Sequence, residues 1–277
     1  MAKNKFYSNK VAIVSGGGSG IGKAICEYLG KYGSKVIVTD INLDSANKTA
    51  TTIIQNGGVA EAYEIDVSNS KAVKGLIEGV AEKYGKIDLL FNNAGISLNG
   101  EFQDMTLEHW QRIIDVNLWG VVYGCHFVYP LMIKQGYGQI INTASLAGLI
   151  PGGLTTSYSA SKFGVVGFTL GLRSEASFYG IQVNTLCPGF IKTAIQNTTP
   201  IVSEYLNSEK NKKMGSNMKA PTPEKCIKSI MKGVKRNKAI IISPRLHKIF
   251  WFLNRLFPTF NIKMFQMVIK RMKKQGF

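Results

Sequence analysis

Residues 11–22 read Val11-Ala12-Ile13-Val14-Ser15-Gly16-Gly17-Gly18-Ser19-Gly20-Ile21-Gly22, and this stretch decides the fold. The short apolar run Val11–Val14 has the pattern of a strand buried on both faces, and a helical pattern begins near residue 20. Between them the glycines are spaced G-x-x-x-G-x-G rather than G-x-G-x-x-G. Either spacing lets the backbone turn tightly and approach a ligand, and the N–H groups of the helix N-terminus then face a pyrophosphate. A Gly-rich turn by itself is only a turn. Its place after a strand and before a helix makes Gly16, Ser19, Gly20, Ile21 and Gly22 candidate dinucleotide contacts.

The same alternation runs through most of the 277 residues. Strands are expected at Val11–Val14, Val36–Thr39, Ala60–Ile65, Ile87–Phe91, Gln139–Asn142, Gln182–Leu186 and Ala239–Ile242, with helices near 20–32, 43–56, 69–84, 106–135, 158–179 and 222–236. Short apolar strands separated by helices build βαβ units. The predicted fold is therefore α/β: a doubly wound, parallel, seven-stranded sheet with helices on both faces, Rossmann-like.

Ligands in such sheets sit beyond the carboxyl ends of the strands, so functional residues should follow each strand. The second strand ends at Asp40, about 20 residues after the glycine turn. A carboxylate there accepts hydrogen bonds from an adenosine ribose and repels a 2′-phosphate. Ser19, Ile41 and Asn42 offer that phosphate no cation, so NAD is favoured over NADP. The third strand ends in Asp66-Val67 and the fourth in Asn92-Asn93-Ala94-Gly95. Asp66 either bonds an adenine amino group or closes an Asx turn, and Ala94-Gly95 leaves room for a flat nucleotide.

Tyr158 and Lys162 are four residues apart, on one helix face. A phenol is a poor base near neutrality, and a neighbouring ammonium lowers its pKa. Such a pair can exchange a proton with a hydroxyl or carbonyl. Ser145 follows the fifth strand and could hold the same substrate oxygen. Asn117 is a polar group in an apolar helical run, placed there either to bond a neighbouring backbone or to serve a proton relay.

Taken together, the order and spacing of Gly16–Gly22, Asp40, Asp66-Val67, Asn92–Gly95, Asn117, Ser145, Tyr158, Lys162 and Pro188-Gly189 with Thr193 resemble the short-chain dehydrogenase/reductase superfamily over roughly residues 8–243. The resemblance implies that Tyr158 is the acid/base, that Lys162 lowers its pKa and binds the nicotinamide ribose, that Ser145 polarises the substrate and that Asn117 supports a water relay. It implies cofactor contacts from Asn93, Ala94, Gly95, Tyr158, Lys162, Pro188, Gly189, Ile191 and Thr193. It also implies a lid over residues 190–215 and a homodimer or homotetramer formed through the 106–135 and 158–179 helices. Ser15 stands where Thr is usual and keeps the hydroxyl. The expected reaction interconverts an alcohol and a ketone. The alternative is a nucleotide-sensing or membrane-adaptor protein that keeps the fold without turnover; the complete catalytic set speaks against it.

Leu98, Leu146, Leu149, Ile150 and Leu154 are expected near the site, which suggests an apolar or lipid-like small-molecule substrate. Cys187 and His126 read as core or helix residues. Cys26, Cys125, Cys187 and Cys226 are widely spaced, so no metal site or disulfide framework is expected and a reducing cytoplasm fits. No signal-peptide pattern is read at the N-terminus. Val116–Ile133 lacks a formal charge for 18 residues but contains Asn117, His126 and Pro130, as a buried helix of a soluble domain can.

Charge divides the chain. Residues 205–277 hold 18 Lys and Arg against Glu209 and Glu224, while residues 1–204 hold 16 basic and 15 acidic residues. The expected layout is a catalytic domain over 1–243 and a basic amphipathic extension over 244–277. In the extension Leu246, Ile249, Phe250, Leu253, Leu256 and Phe257 recur at helical spacing up to Pro258. This stripe either docks peripherally on an anionic membrane or packs on the domain or on a second subunit. Nucleic acid is not an expected partner, because charge alone supports it without a recognition motif.

Overall fold

The β-branched runs form the sheet expected of them. The computed structural model describes residues 5–193, 195–207 and 220–276. The strands are β1 (Val11–Ser15), β2 (Lys35–Asp40), β3 (Val59–Glu64), β4 (Leu89–Asn92), β5 (Gly138–Thr143), β6 (Ile181–Pro188) and β7 (Ile240–Ser243). All pair in parallel in the order β3-β2-β1-β4-β5-β6-β7. The chain reverses its winding between β1 and β4, which opens a crevice at their carboxyl ends.

Helices α1 (Gly20–Lys31), α2 (Leu43–Gln55) and α8 (Pro223–Lys235) cover one face of the sheet, and α3 (Ser70–Tyr84), α5 (Gly120–Gln135) and α6 (Thr156–Ala176) cover the other. Ile25, Leu29, Ile53 and Met231 fill the first layer; Ile77, Val128, Met132 and Val165 fill the second. Each such side chain contributes about 1.5–3 kcal/mol by leaving water. The four cysteines are free and buried in these layers.

Element ends follow local chemistry. The Asn42 side chain accepts the Ser45 N–H at 2.8 Å and starts α2, while Gly85 and Gly136, both with positive φ, stop α3 and α5. The single helix expected over 106–135 is interrupted. Thr106 caps α4 (Leu107–Ile114), then residues Asp115–Trp119 widen into a π turn before α5. The widening falls where Asn117 is held by hydrogen bonds to loop 96 and where Gly120 lies against Val67.

Leu107–Gln135 is, among the described residues, the one helix long and apolar enough to cross a membrane. Its Val121, Cys125, Val128 and Met132 pack in the core and its Asn117 is fully buried, so it is a core helix.

Beyond β7 come α9 (His247–Leu256) and α10 (Pro258–Gly276). They rest on the domain through Trp251, an Asn254 bond to the Leu149 carbonyl, Ile269 against Gly153 and a Lys273–Glu101 ion pair of 2.6 Å. The stripe from Leu246 to Phe257 makes none of these contacts; all six of its side chains are exposed.

Candidate active site

A cleft of about 1050 Å³ runs along the carboxyl edge of the sheet, from the glycine turn and Asp40 to Ser145 and Tyr158. Every nucleotide-contact residue expected from sequence lines it except Gly22. Gly22 works from beneath: a Cβ there would lie 2.0 Å from the Gly16 carbonyl oxygen, so only glycine lets α1 start so close to β1. Gly16 has φ +63° and would meet the Ala94 backbone with any larger side chain. The Ser15 hydroxyl accepts the N–H groups of Asn93 (2.9 Å) and Ala94 (3.1 Å), fastening this turn to the end of β4.

At the adenosine end, the Asp40 carboxylate accepts Gly18 N–H at 3.0 Å and Asn42 N–H at 3.1 Å, which aims it along the turn and leaves lone pairs for a ligand. Asp66 closes an Asx turn with Ser68 through Oδ1 and still lines the cleft. Thr193 faces Gly20 across the cleft, its Cβ 3.4 Å from where a Gly20 Cβ would stand. At Gly95, a Cβ would come within 3.2 Å of Lys162 Nζ and 3.1 Å of Asn117 Oδ1, so the glycine keeps the ammonium open to the cleft. These cradles fit a dinucleotide.

At the other end Tyr158, half-buried, shares the cleft wall with Ser145. Ser145 sits in extended backbone after β5, where its hydroxyl accepts Ala147 N–H at 3.1 Å and favours the phenolate form of Tyr158. Lys162 is 3% exposed, donates to the Thr143 carbonyl at 3.0 Å, and holds Nζ 5.7 Å from the Tyr158 ring centre. Burial pushes the Tyr158 phenol up, partly offset by Ser145, and burial brings the Lys162 ammonium down to about 8. The Lys162 ammonium lies over the Tyr158 ring while it bonds the Thr143 carbonyl, and desolvation is the largest influence on the phenol.

Asn117 is a clamp. Its Nδ2 donates to Ile96 O (2.9 Å) and Ser161 Oγ (3.0 Å), and its Oδ1 accepts Ile96 N–H (2.9 Å). The bonds to Ile96 are neighbouring-backbone contacts of the kind expected for a polar group in that run. Sequence reasoning missed Ser161 and Thr143, which complete this clamp and the Lys162 seat. Ser161, three residues from Tyr158 on the buried side of α6, was the available signal.

Of the apolar residues expected near the substrate, only Leu98 lines the cleft; Leu149 is in the core beneath the tail. The apolar wall comes instead from Ile96, Ile113, Val116, Phe190 and Ile195, because loop 96–98 and α4 reach further over the site than loop 146–154 does. The expected lid is described at 190–193 and 195–207; residue 194 and residues 208–215 lie outside the described residues. Its Ile195 and Thr198, the ends of the short α7 (Ile195–Thr198), and Pro200 line the cleft, and Ile201 bridges Asn99. Cys187 is fully buried with its thiol pushed up to about 12 by desolvation, which removes it as a nucleophile.

The family model of short chain dehydrogenases matches residues 10–201. A cyclohexanol dehydrogenase of Acinetobacter sp. is 39% identical over 208 residues, 74% of this chain and 80% of that one. A 3-oxoacyl-(acyl-carrier-protein) reductase of Synechocystis sp. is 40% identical over 201 residues, 72% of this chain and 78% of that one. Among solved structures, a short chain dehydrogenase/reductase from Burkholderia phymatum in complex with NAD superposes with a TM-score of 0.80 at 26% identity, covering 90% of this chain and 94% of that chain.

The chain belongs to the short-chain dehydrogenase/reductase family. It is an oxidoreductase of CH–OH donors, and its family uses NAD or NADP.

Proposed function

We propose that this enzyme interconverts a secondary alcohol and a ketone, with Tyr158 as acid/base and with NAD(H) preferred. The observation that carries the reading is the Tyr158–Ser145 pair, which shares one cleft with the glycine turn and Asp40. The bound dinucleotide would supply or accept the hydride. In the reducing direction the Tyr158 O–H donates its proton to the carbonyl oxygen while the Ser145 hydroxyl donates a hydrogen bond to the same atom. Burial, which keeps the phenol protonated, suits this role as acid. Lys162 has two N–H donors left after Thr143, enough for ribose hydroxyls and for charge support of the phenolate. Asn117 acts by holding loop 96 and α6 in register.

The preference for NAD rests on Asp40. Among the described residues, the cations lining the cleft are Arg112 on α4 and Lys162, and neither belongs to the β2–α2 segment that would meet a 2′-phosphate. The apolar wall around Leu98 and Phe190 supports a substrate with an apolar body. Residues 1–243 form the catalytic unit in this reading and 244–277 an appendage. Four buried, free thiols suit a reducing cytoplasm.

Replacing Tyr158 with Phe tests the chemistry. Single-turnover hydride transfer should fall by about 10²–10⁴-fold, while NADH binding, read by fluorescence, stays within a factor of a few. Normal turnover by the variant would overturn the assignment.

A further inference from the structure

Burial is inverted along α9. His247, Trp251 and Asn254 turn inward, the last using its amide on the Leu149 carbonyl. Ile249, Phe250, Phe252, Leu253 and Leu256 turn outward and are 45–59% exposed. A helix facing water shows the reverse arrangement, and a contiguous apolar patch marks an interaction site. On α10 the inward side holds Phe265 and Ile269, and the outward side holds Lys263, Lys270, Arg271 and Lys274.

At the base of α9 lies a small cleft lined by Lys232, Arg236, Lys238, Arg245 and Lys248. Among the described residues no carboxylate lines it, and no Asp or Glu follows Glu224 in the sequence. Burial and the charges of Lys238 and Arg245 together pull the Lys248 ammonium below its usual value. Arg245 and Lys248 alternate in sequence with Leu246 and Ile249, so the cationic cleft abuts the apolar face.

A free anion would explain the cations but not the apolar helix. A purely apolar partner would explain the helix but leave five cations crowded together. A second copy in a twofold contact would bring the same cations to the same surface. A layer of anionic headgroups over acyl chains matches both features at once. The 10-residue α9 is about 15 Å long, half the roughly 30 Å of a bilayer core, so it lies along the surface.

We propose that α9, the outer side of α10 and the Arg245–Lys248 cleft form a docking face for an anionic phospholipid bilayer, with headgroup phosphates at the cleft and the Phe250–Leu253 face in the interfacial layer. The cationic cleft shares no lining residue with the Tyr158 cleft, and the vesicle readout itself needs neither cofactor nor substrate.

Full-length protein is sedimented with vesicles of phosphatidylcholine, with and without phosphatidylglycerol. Binding to the phosphatidylglycerol vesicles should be at least tenfold tighter and should weaken as salt rises. Arg245→Glu combined with Lys248→Glu, and separately Phe252→Ser combined with Leu253→Ser, should each reduce that binding on the order of tenfold. Both variants should bind NADH like the parent, which reports an intact fold. Equal binding to the two vesicle types, or unchanged binding by either variant, would overturn the proposal. So would an absence of vesicle binding accompanied by self-association that the variants lose, which would assign the face to a second copy.

Discussion

Tyr158 and Lys162 stand one helical turn apart, and burial moves them in opposite directions: the phenol holds its proton more firmly and the ammonium less so. The sign for activity follows. Lys162 is charged well below pH 8 and loses its proton as the pH rises through about 8, far below the usual 10.5. Carbonyl reduction needs the protonated phenol and gains from the charged lysine, so its kcat/KM should be level below about pH 7 and fall up to roughly tenfold per pH unit above 8. A pH–rate profile of the reduction checks this; a profile that rises through pH 8 would contradict it. Between about 8 and 10.5 the unfolded chain still holds a proton that folded Lys162 has released, so this group's contribution to stability rises with pH across that window. At the other end of the cleft, Asp40→Ser removes both the repulsion of a 2′-phosphate and the carboxylate that accepts Gly18 N–H. NADH binding should weaken about tenfold while NADPH binding holds or improves; titration of both cofactors reads the ratio, and an unchanged ratio would refute the preference. Asp40, Tyr158 and Lys162 were legible in the sequence because each is tied to a strand end or a helical spacing. Thr143 and Ser161 were not, since their parts depend on which carbonyl or amide happens to face them.

Among the elements, the strands and most helices follow from periodicity, and β-branched runs such as Val36–Val38 leave little choice. The π turn at Asp115–Trp119 does not follow from it, because the apolar pattern runs on and only the Asn117 contacts across the fold require the extra residue. Arg173 on α6 was likewise overlooked. It donates to the carbonyl of Val183 and to the side chain and carbonyl of Asn237, whose positive φ of 46° turns the chain into β7. Arg173→Ala should cost about 2 kcal/mol, measurable by urea denaturation, with NADH affinity retained since Arg173 is outside the cleft lining. A loss of affinity that matches the loss of stability would show that β7 and the cofactor loop move together.

At the scale of the whole molecule, α6 presents an exposed stripe of Ala160, Phe163, Gly167 and Gly171. With Trp119, 45% exposed on the π turn that packs against α6, these small and aromatic residues form the surface through which the proposed homodimer or homotetramer would assemble. Phe163→Glu should shift the mass in analytical ultracentrifugation toward monomer; an unchanged mass would move the interface elsewhere. The tail was only half legible. Its charge and helical stripe are plain in the sequence, but two opposite readings, packing inward or facing outward, fit the same spacing equally well. Amphipathic spacing tells which residues share a face and not where that face points. By itself the sequence determined the doubly wound sheet, the nucleotide turn and the Tyr158–Lys162 spacing, because these depend on local geometry repeated along the chain. Tertiary structure alone decided that the Asn117 side chain bonds Ile96 and Ser161, that Lys162 is buried against the Thr143 carbonyl, and that the apolar face of α9 points away from the protein. Each of those depends on what lies within a few ångströms across the fold, and no periodicity carries that information.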